Sequence, residues 1–340
     1  MDLELLERSL AERGEPPFRA RQVWEWAAHG ASSYEEMTNV PSALREWLAQ
    51  EVPLSTLALE HEARALDGTQ KALFRTGDGR PVEAVLMRYR GGRRSLCLSS
   101  QSGCPLTCTF CATGRMRFGR NLNASEIVDQ ALHFRRIEPV RSKGGRGAVT
   151  LQNAVFMGMG EPLMNLESVL EACERLPDVG ISHRRTAIST VGWLPGIERL
   201  IEEGPPVRLA LSLHAADDAL RSELMPVNER YPLGDVLDAC RRWSSARRQP
   251  VFVEYLMLDG VNDRYEQAVA LAGVLQPRAA FKVNLIPYNP TDAGFRGSSR
   301  AAIAAFRAAL EERGVRATVR LTRGRDIEAA CGQLAAKAPG

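Results

Sequence analysis

The sequence predicts an α/β protein whose main body is a parallel sheet with right-handed crossovers, curled as a full or partial barrel. Three observations carry this reading. Six short runs are apolar on both faces, as strands covered by helices on either side must be. Between them lie amphipathic helical stretches, so strand and helix alternate. Parallel neighbours need crossover connections of that length and kind. The 340 residues, 44% hydrophobic and 25% charged, can bury a full core without disulfide staples and are too ordinary in composition for disorder or coiled coil.

Taken in order, residues 1–60 read as helices: LELLERSLAER, FRARQVWEWAAHG and PSALREWLAQEV, the last with Pro41 at a first helical position. Trp24, Trp26 and Trp47 are expected to form a small satellite core there. QKALFRT and PVEAVLMRYR, separated by Gly77-Asp78-Gly79, read as a bridging hairpin over 61–92. The strands of the repeating region are RRSLCLSSQ, AVFMGMG, RTAIST, VRLALSLH, VFVEYLML and FKVNLIP. The helical stretches are ASEIVDQALHFRR, NLESVLEACERL, PGIERLIEEG, DALRSELM, PLGDVLDACRRW and RYEQAVALAGVL, and the repeating region runs over 93–310. A last helix (SRAAIAAFRAALEERG), the strand VRATVRLTR and the tail DIEAACGQLA lead into and make up an extension over 311–340. RSKGGRG at 141–147 reads as a flexible basic loop. In such a fold chemistry gathers at the C-terminal ends of the strands.

The longest apolar runs fall well short of the ~20 residues a membrane span needs. The opening MDLELLERSL is charged and amphipathic rather than a signal peptide, so a soluble, cytoplasmic protein is expected. Net charge is mild, 44 − 41 = +3, but its distribution is not. Seven arginines and no acid lie between Ala84 and Arg120, and Arg313, Arg316, Arg320, Arg323 and Arg325 form a second cluster. Such runs are either solvated faces or contacts for a polyanion.

Seven cysteines, four of them within fifteen residues, do not make a secreted disulfide framework. Cys173 and Cys240 sit in helical patterns and read as core thiols. Cys104, Cys108 and Cys111 form a C-x₃-C-x₂-C motif directly after the first strand of the repeat, with no fourth ligand nearby. Structural zinc normally takes four ligands. Three thiolates can instead hold three irons of a [4Fe–4S] cluster, leaving the fourth open to chelate the amino and carboxylate groups of S-adenosylmethionine (SAM). Phe110 fits an aromatic wall beside such a centre. Gly158-Met159-Gly160-Glu161-Pro162 follows an apolar strand, where glycines allow close backbone approach and a carboxylate can accept from an ammonium. Ser189, Ser212, His214 and Asn289 are polar groups at strand ends, for which helix capping or an interior histidine is the plainer alternative.

The block SSQSGCPLTCTFCATGRMRFGRNLNASEIVDQ resembles the radical-SAM superfamily, and specifically the RlmN/Cfr family of RNA adenine methyltransferases. FRARQVWEW, YEEMTNVP, FMGMGEPLMN, LSLHAADD, LDGVND, VNLIPYNP and RGRDIEAACGQL extend the resemblance over nearly the whole chain. It implies a partial (β/α)6 radical-SAM barrel with a small N-terminal helical domain and a C-terminal extension. It also implies one [4Fe–4S] cluster on Cys104, Cys108 and Cys111, two SAM molecules per turnover, and SAM contacts at Gly160, Glu161, Ser189, Ser212, Leu213, His214 and Asn289. By the same resemblance, Cys331 accepts a methyl group from one SAM, and a second SAM supplies the radical that activates it for addition to adenine. Cys97 is then the thiol that resolves the protein–RNA adduct through a transient disulfide, and Glu83 the proton acceptor.

The implied substrates are 23S rRNA and the anticodon arm of tRNA, methylated at adenine C2. The implied context is a monomer with an external electron donor such as flavodoxin and no membrane. A Cfr-like C8 methylation needs the same cysteines. A non-catalytic RNA-binding protein with structural zinc, or a radical-SAM enzyme acting on a peptide or small molecule, are the readings from other classes.

Overall fold

The computed structural model describes residues 1–138 and 151–336; the basic stretch read over 141–147 lies outside them. Ten strands form one sheet. β1 (Leu57–Arg64), β2 (Gln70–Thr76), β3 (Pro81–Arg88) and β4 (Arg94–Cys97) pair antiparallel in sequence. The small antiparallel ladder β5 (Gln101–Ser102) with β6 (Arg120–Asn121) stands apart from this sheet. Beyond β4 the sheet continues in parallel through β7 (Leu151–Phe156), β8 (Thr186–Thr190), β9 (Arg208–Ser212), β10 (Val251–Met257), β11 (Phe281–Pro287) and β12 (Ala317–Val319). All six expected strands are present, β12 adds to β11, and β1 and β12 stand at opposite edges. The barrel is therefore partial.

The crossover helices form where the apolar spacing places them. The first, Ala124–Ile137, is fixed by a capping box in which Asn123 and Glu126 satisfy each other's backbone N–H groups. Cys173 and Cys240 are fully buried core thiols. Among the described residues no helix is long and apolar enough to cross a membrane.

Three expectations need correction. The bridging hairpin is an antiparallel pair, but β1 precedes it and starts inside the segment read as helical. Pro41 lies just before its helix, in extended conformation, and the helix begins at Ser42. The tryptophans do not build a satellite core: the helices Leu3–Glu12, Phe18–Ala28 and Ser42–Glu51 share one continuous core with the barrel. Polar ties span the junction. Trp24 Nε1 donates to Asp178 at 2.7 Å, and the buried Asp129 accepts from the Met1 amino group and from the Thr56 hydroxyl.

Candidate active site

A cavity opens at the C-terminal ends of the parallel strands. The loop bearing the three cysteines forms one wall. The β5–β6 ladder pinches its ends, and Gly103, at φ +74°, lies where a Cβ would meet the Arg117 carbonyl oxygen at 2.6 Å. Cys104, Cys108 and Cys111 all face the cavity. Burial pushes the Cys104 thiol up to about 12, and burial with the neighbouring thiols raises Cys108 well above the usual thiol range. Among the described residues no three Cys, His, Asp or Glu side chains converge tightly enough to hold a single ion. Three thiolates lining one cavity can each ligate a different iron, so this donor set suits a cluster.

Opposite the cysteines lie the glycine-rich turn and the strand ends. A Cβ on Gly158 would lie 2.6 Å from Ser99 Oγ, and one on Gly160, at φ +100°, 2.5 Å from the Gln101 side chain. Only glycine gives this approach. Glu161 is buried; its carboxylate accepts from the N–H groups of Leu163 and Val191, each at 3.0 Å. Burial still outweighs those bonds and raises its carboxyl to about 7. Ser189 and Ser212 line the cavity with their hydroxyls 3.5 Å apart.

His214 has an unusual left-handed backbone (φ 60°) that turns its ring into the cavity. Its Nδ1 accepts from the Leu256 N–H at 3.1 Å, which assigns the proton to Nε2. Burial, helped by Arg221, lowers it to about 3, so it is a neutral donor. Phe110 packs edge-on against it, giving the aromatic wall read from the sequence.

Leu213 and Asn289, also expected to contact SAM, are not among the residues lining this cavity. The Leu213 side chain is in the core. Asn289 faces an adjoining smaller cavity and donates to the Cys331 carbonyl at 3.2 Å, tethering the tail.

The tail folds over the mouth. Ala112 N–H donates to Gly332 O at 2.8 Å, Thr113 Oγ1 to Leu334 O at 2.6 Å, and Gln333 Nε2 to Pro290 O at 2.9 Å. This seats an exposed Cys331 on the boundary of both cavities, the smaller of which also contains Cys97. Cys97 is half-buried, and burial pushes its thiol up to about 12.

Glu83 is fully buried rather than solvent-facing. Its Oε2 accepts from the N–H groups of Ala335 and Ala336 at 3.0 and 3.1 Å, and Lys71 Nζ lies 3.0 Å from Oε1 without hydrogen-bond alignment. Glu83 therefore anchors the tail.

The basic runs divide. Arg88 and Arg94 pair with Glu138, and Arg120 with Asp78 and Glu126; Arg90, Arg93, Arg115 and Arg117 remain exposed, as do Arg316 and Arg325. Sequence reasoning missed Glu254 and Arg221, and read Arg320 only as part of a basic cluster; all three charged side chains are drawn into or beside the cavities. The one available signal was an acid inside the apolar strand VFVEYLML.

Residues 98–272 match the Radical SAM superfamily, and residues 1–54 the ribosomal RNA large subunit methyltransferase N-terminal domain. The chain is 47% identical to the dual-specificity RNA methyltransferase RlmN of Anaeromyxobacter dehalogenans, over 98% of this chain and 90% of that one. It is 46% identical to the protein of the same name from a second Anaeromyxobacter strain, over 99% and 90%. A radical SAM methyltransferase from Sphaerobacter thermophilus superposes with a TM-score of 0.90 at 44% identity, covering 99% of this chain and 98% of that one. Similarity of this extent, across the helical domain, the barrel and the tail together, makes the chain a member of the RlmN family of radical-SAM methyltransferases.

Proposed function

We propose that the protein methylates C2 of an adenine in 23S rRNA, and of an adenine in the anticodon arm of tRNA, with the methyl group carried on Cys331. The observation that carries this is the seating of Cys331 between a cavity walled by three cysteines and a second one that contains Cys97. Cys104, Cys108 and Cys111 would hold a [4Fe–4S] cluster, which would supply single-electron cleavage of SAM, fed by an external donor such as flavodoxin.

The chain's own residues do the rest. Glu161, as carboxylate, receives the SAM ammonium, and the glycines at 158 and 160 let the backbone close on the ligand. The His214 Nε2–H and the Ser189 and Ser212 hydroxyls point polar groups at its remaining surface. Adenine C2 carries an unreactive C–H and cannot attack a sulfonium methyl as a nitrogen or oxygen would, so the methyl is first taken by the Cys331 sulfur. Once the sulfur-borne carbon is joined to adenine C2, Glu83 accepts the C2 proton after the tail lifts from its carboxylate, and Cys97 attacks the Cys331 sulfur, so that an S–S bond forms and the S–C bond breaks with its pair going to the new methyl carbon.

Exposed Arg90, Arg93, Arg115 and Arg117 supply phosphate contacts that position a structured RNA, while the target base leaves its stack to enter the mouth. The helical domain is an accessory RNA grip, the protein works as a monomer, and its substrates place it in the cytoplasm.

The test is incubation of anaerobically reconstituted protein with unmodified rRNA and tRNA fragments, labelled SAM and a reductant, followed by nucleoside digestion. Label in 2-methyladenosine is expected. Label in 8-methyladenosine would make the protein Cfr-like, and none in either would refute RNA methylation.

A further inference from the structure

Between the two cavities lies an ion pair that the chemistry above leaves unused. Glu254, on β10, is buried and faces the larger cavity. Its Oε1 accepts from Asn284 Nδ2 at 2.8 Å, and Asn284 Oδ1 in turn accepts from Thr318 Oγ1 at 2.6 Å. Its Oε2 has no hydrogen-bond partner, and Arg320 Nη1 lies 3.7 Å away. Arg320 stands just past β12, with its N–H donating to Leu285 O at 2.8 Å. Its Nη1 also lies 3.1 Å from Met157 Sδ, and Met157 borders both cavities. The guanidinium is thereby fixed in the wall of the smaller cavity, with Cys97 and Cys331 as fellow lining residues.

We propose that Arg320, braced by Glu254, is the positioning residue for sulfur–sulfur exchange between Cys97 and Cys331. This rests on the assignment of Cys97 as the resolving thiol. After Cys97 loses its proton to solvent, its electron pair forms the S–S bond. The bond between the Cys331 sulfur and the RNA-linked methylene breaks, and its pair goes to that carbon, which takes up a proton and becomes the methyl group. A dithiol reductant later supplies two electrons and two protons to restore both thiols.

The Cys97 thiol shares its cavity with Cys331 from the tail and with Arg320 and Arg323 from the segment after β12; Glu254 and Tyr89, the latter just past β3, lie near Arg320. Arg323 is taken up by Asp67 at 3.7 Å and by the Tyr89 ring. Enclosure and Cys331 disfavour the thiolate; Arg320 and the Met157 N–H oppose them. Without a cation at that wall the attacking thiolate would be scarcer still.

The test compares Arg320→Met, Arg320→Gln and Arg320→Lys in the full chain. The rate of iodoacetamide alkylation at Cys97, mapped by peptide mass spectrometry at about pH 9, should fall about tenfold in the two neutral variants, since an adjacent cation lowers a thiol by at least about one pH unit. It should stay within about threefold in Arg320→Lys. With RNA, SAM and reductant, the neutral variants should still methylate Cys331 yet accumulate covalent protein–RNA adduct, as Cys97→Ala should. Arg320→Gln keeps a side chain of similar reach and gives the readout if Arg320→Met does not fold. Unchanged alkylation in a folded neutral variant, or an equal loss in Arg320→Lys, would overturn the role of Arg320. Failure of Cys97→Ala to trap adduct would instead overturn the assignment of Cys97 on which the proposal stands.

Discussion

Substituting Glu161→Gln tests the electrostatics of the SAM pocket without any cofactor. Burial moves this carboxyl from 4.5 to about 7, and at about 1.4 kcal/mol per pH unit that is worth about 3 kcal/mol. The sign follows from proton counting. Below pH 4.5 both folded and unfolded chains carry the proton. Between 4.5 and 7 the unfolded chain releases it while the folded chain keeps it, so stability falls as pH rises. Above 7 the loss is complete. Glutamine cannot titrate. It also offers only one oxygen to the two N–H groups of Leu163 and Val191, a cost of about 1–3 kcal/mol that does not change with pH.

Urea unfolding of cofactor-free wild type and variant from pH 4.5 to pH 8 should therefore show their difference shifting by about 3 kcal/mol in favour of the variant. A difference that stays level would refute the claim that this carboxyl is held in a desolvated site. In the reconstituted protein, SAM affinity should rise with pH through about 7 in wild type, as the carboxylate forms, and lose that rise in Glu161→Gln.

Gly160→Ala should cost roughly 1–3 kcal/mol, because its left-handed backbone strains any side chain and the Gln101 side chain has nowhere to retreat; a Tm equal to wild type would contradict this. RNA binding should weaken steeply with salt, and Arg90→Gln or Arg117→Gln should each flatten the log–log slope by about 0.7–0.9, measured by fluorescence anisotropy; a slope near zero in wild type removes the phosphate-contact account. Glu83→Ala strips the acceptor from the Ala335 and Ala336 N–H groups, so trypsin should cleave after Arg325 several-fold faster by the usual cost of losing a charged hydrogen-bond partner. Unchanged cleavage would mean the tail is held by its other contacts alone.

The parallel strands were legible because both their faces are covered, which leaves uninterrupted apolar runs. β1 was not, because it is a mostly exposed edge strand bulged between Leu59 and His61, so its alternation breaks at Leu59 and beyond it only sets half-buried residues against exposed ones. The cysteine motif and the Gly158–Glu161 turn were legible because close spacing and glycine carry their own geometry. The Glu254–Arg320 pair and the Glu83–tail contact join residues far apart in the chain, and no local pattern reports such partners. Tryptophans near one another in sequence suggested a local core, but the bond from Trp24 to Asp178 spans more than a hundred residues.

The route of the methyl group is the central claim. Load Cys331 with a labelled methyl from SAM, remove the excess, then add unlabelled SAM, reductant and unmodified RNA for one turnover. The account predicts the label on adenine C2 and an unlabelled Cys331; an unlabelled RNA methyl with the label still on Cys331 would contradict it.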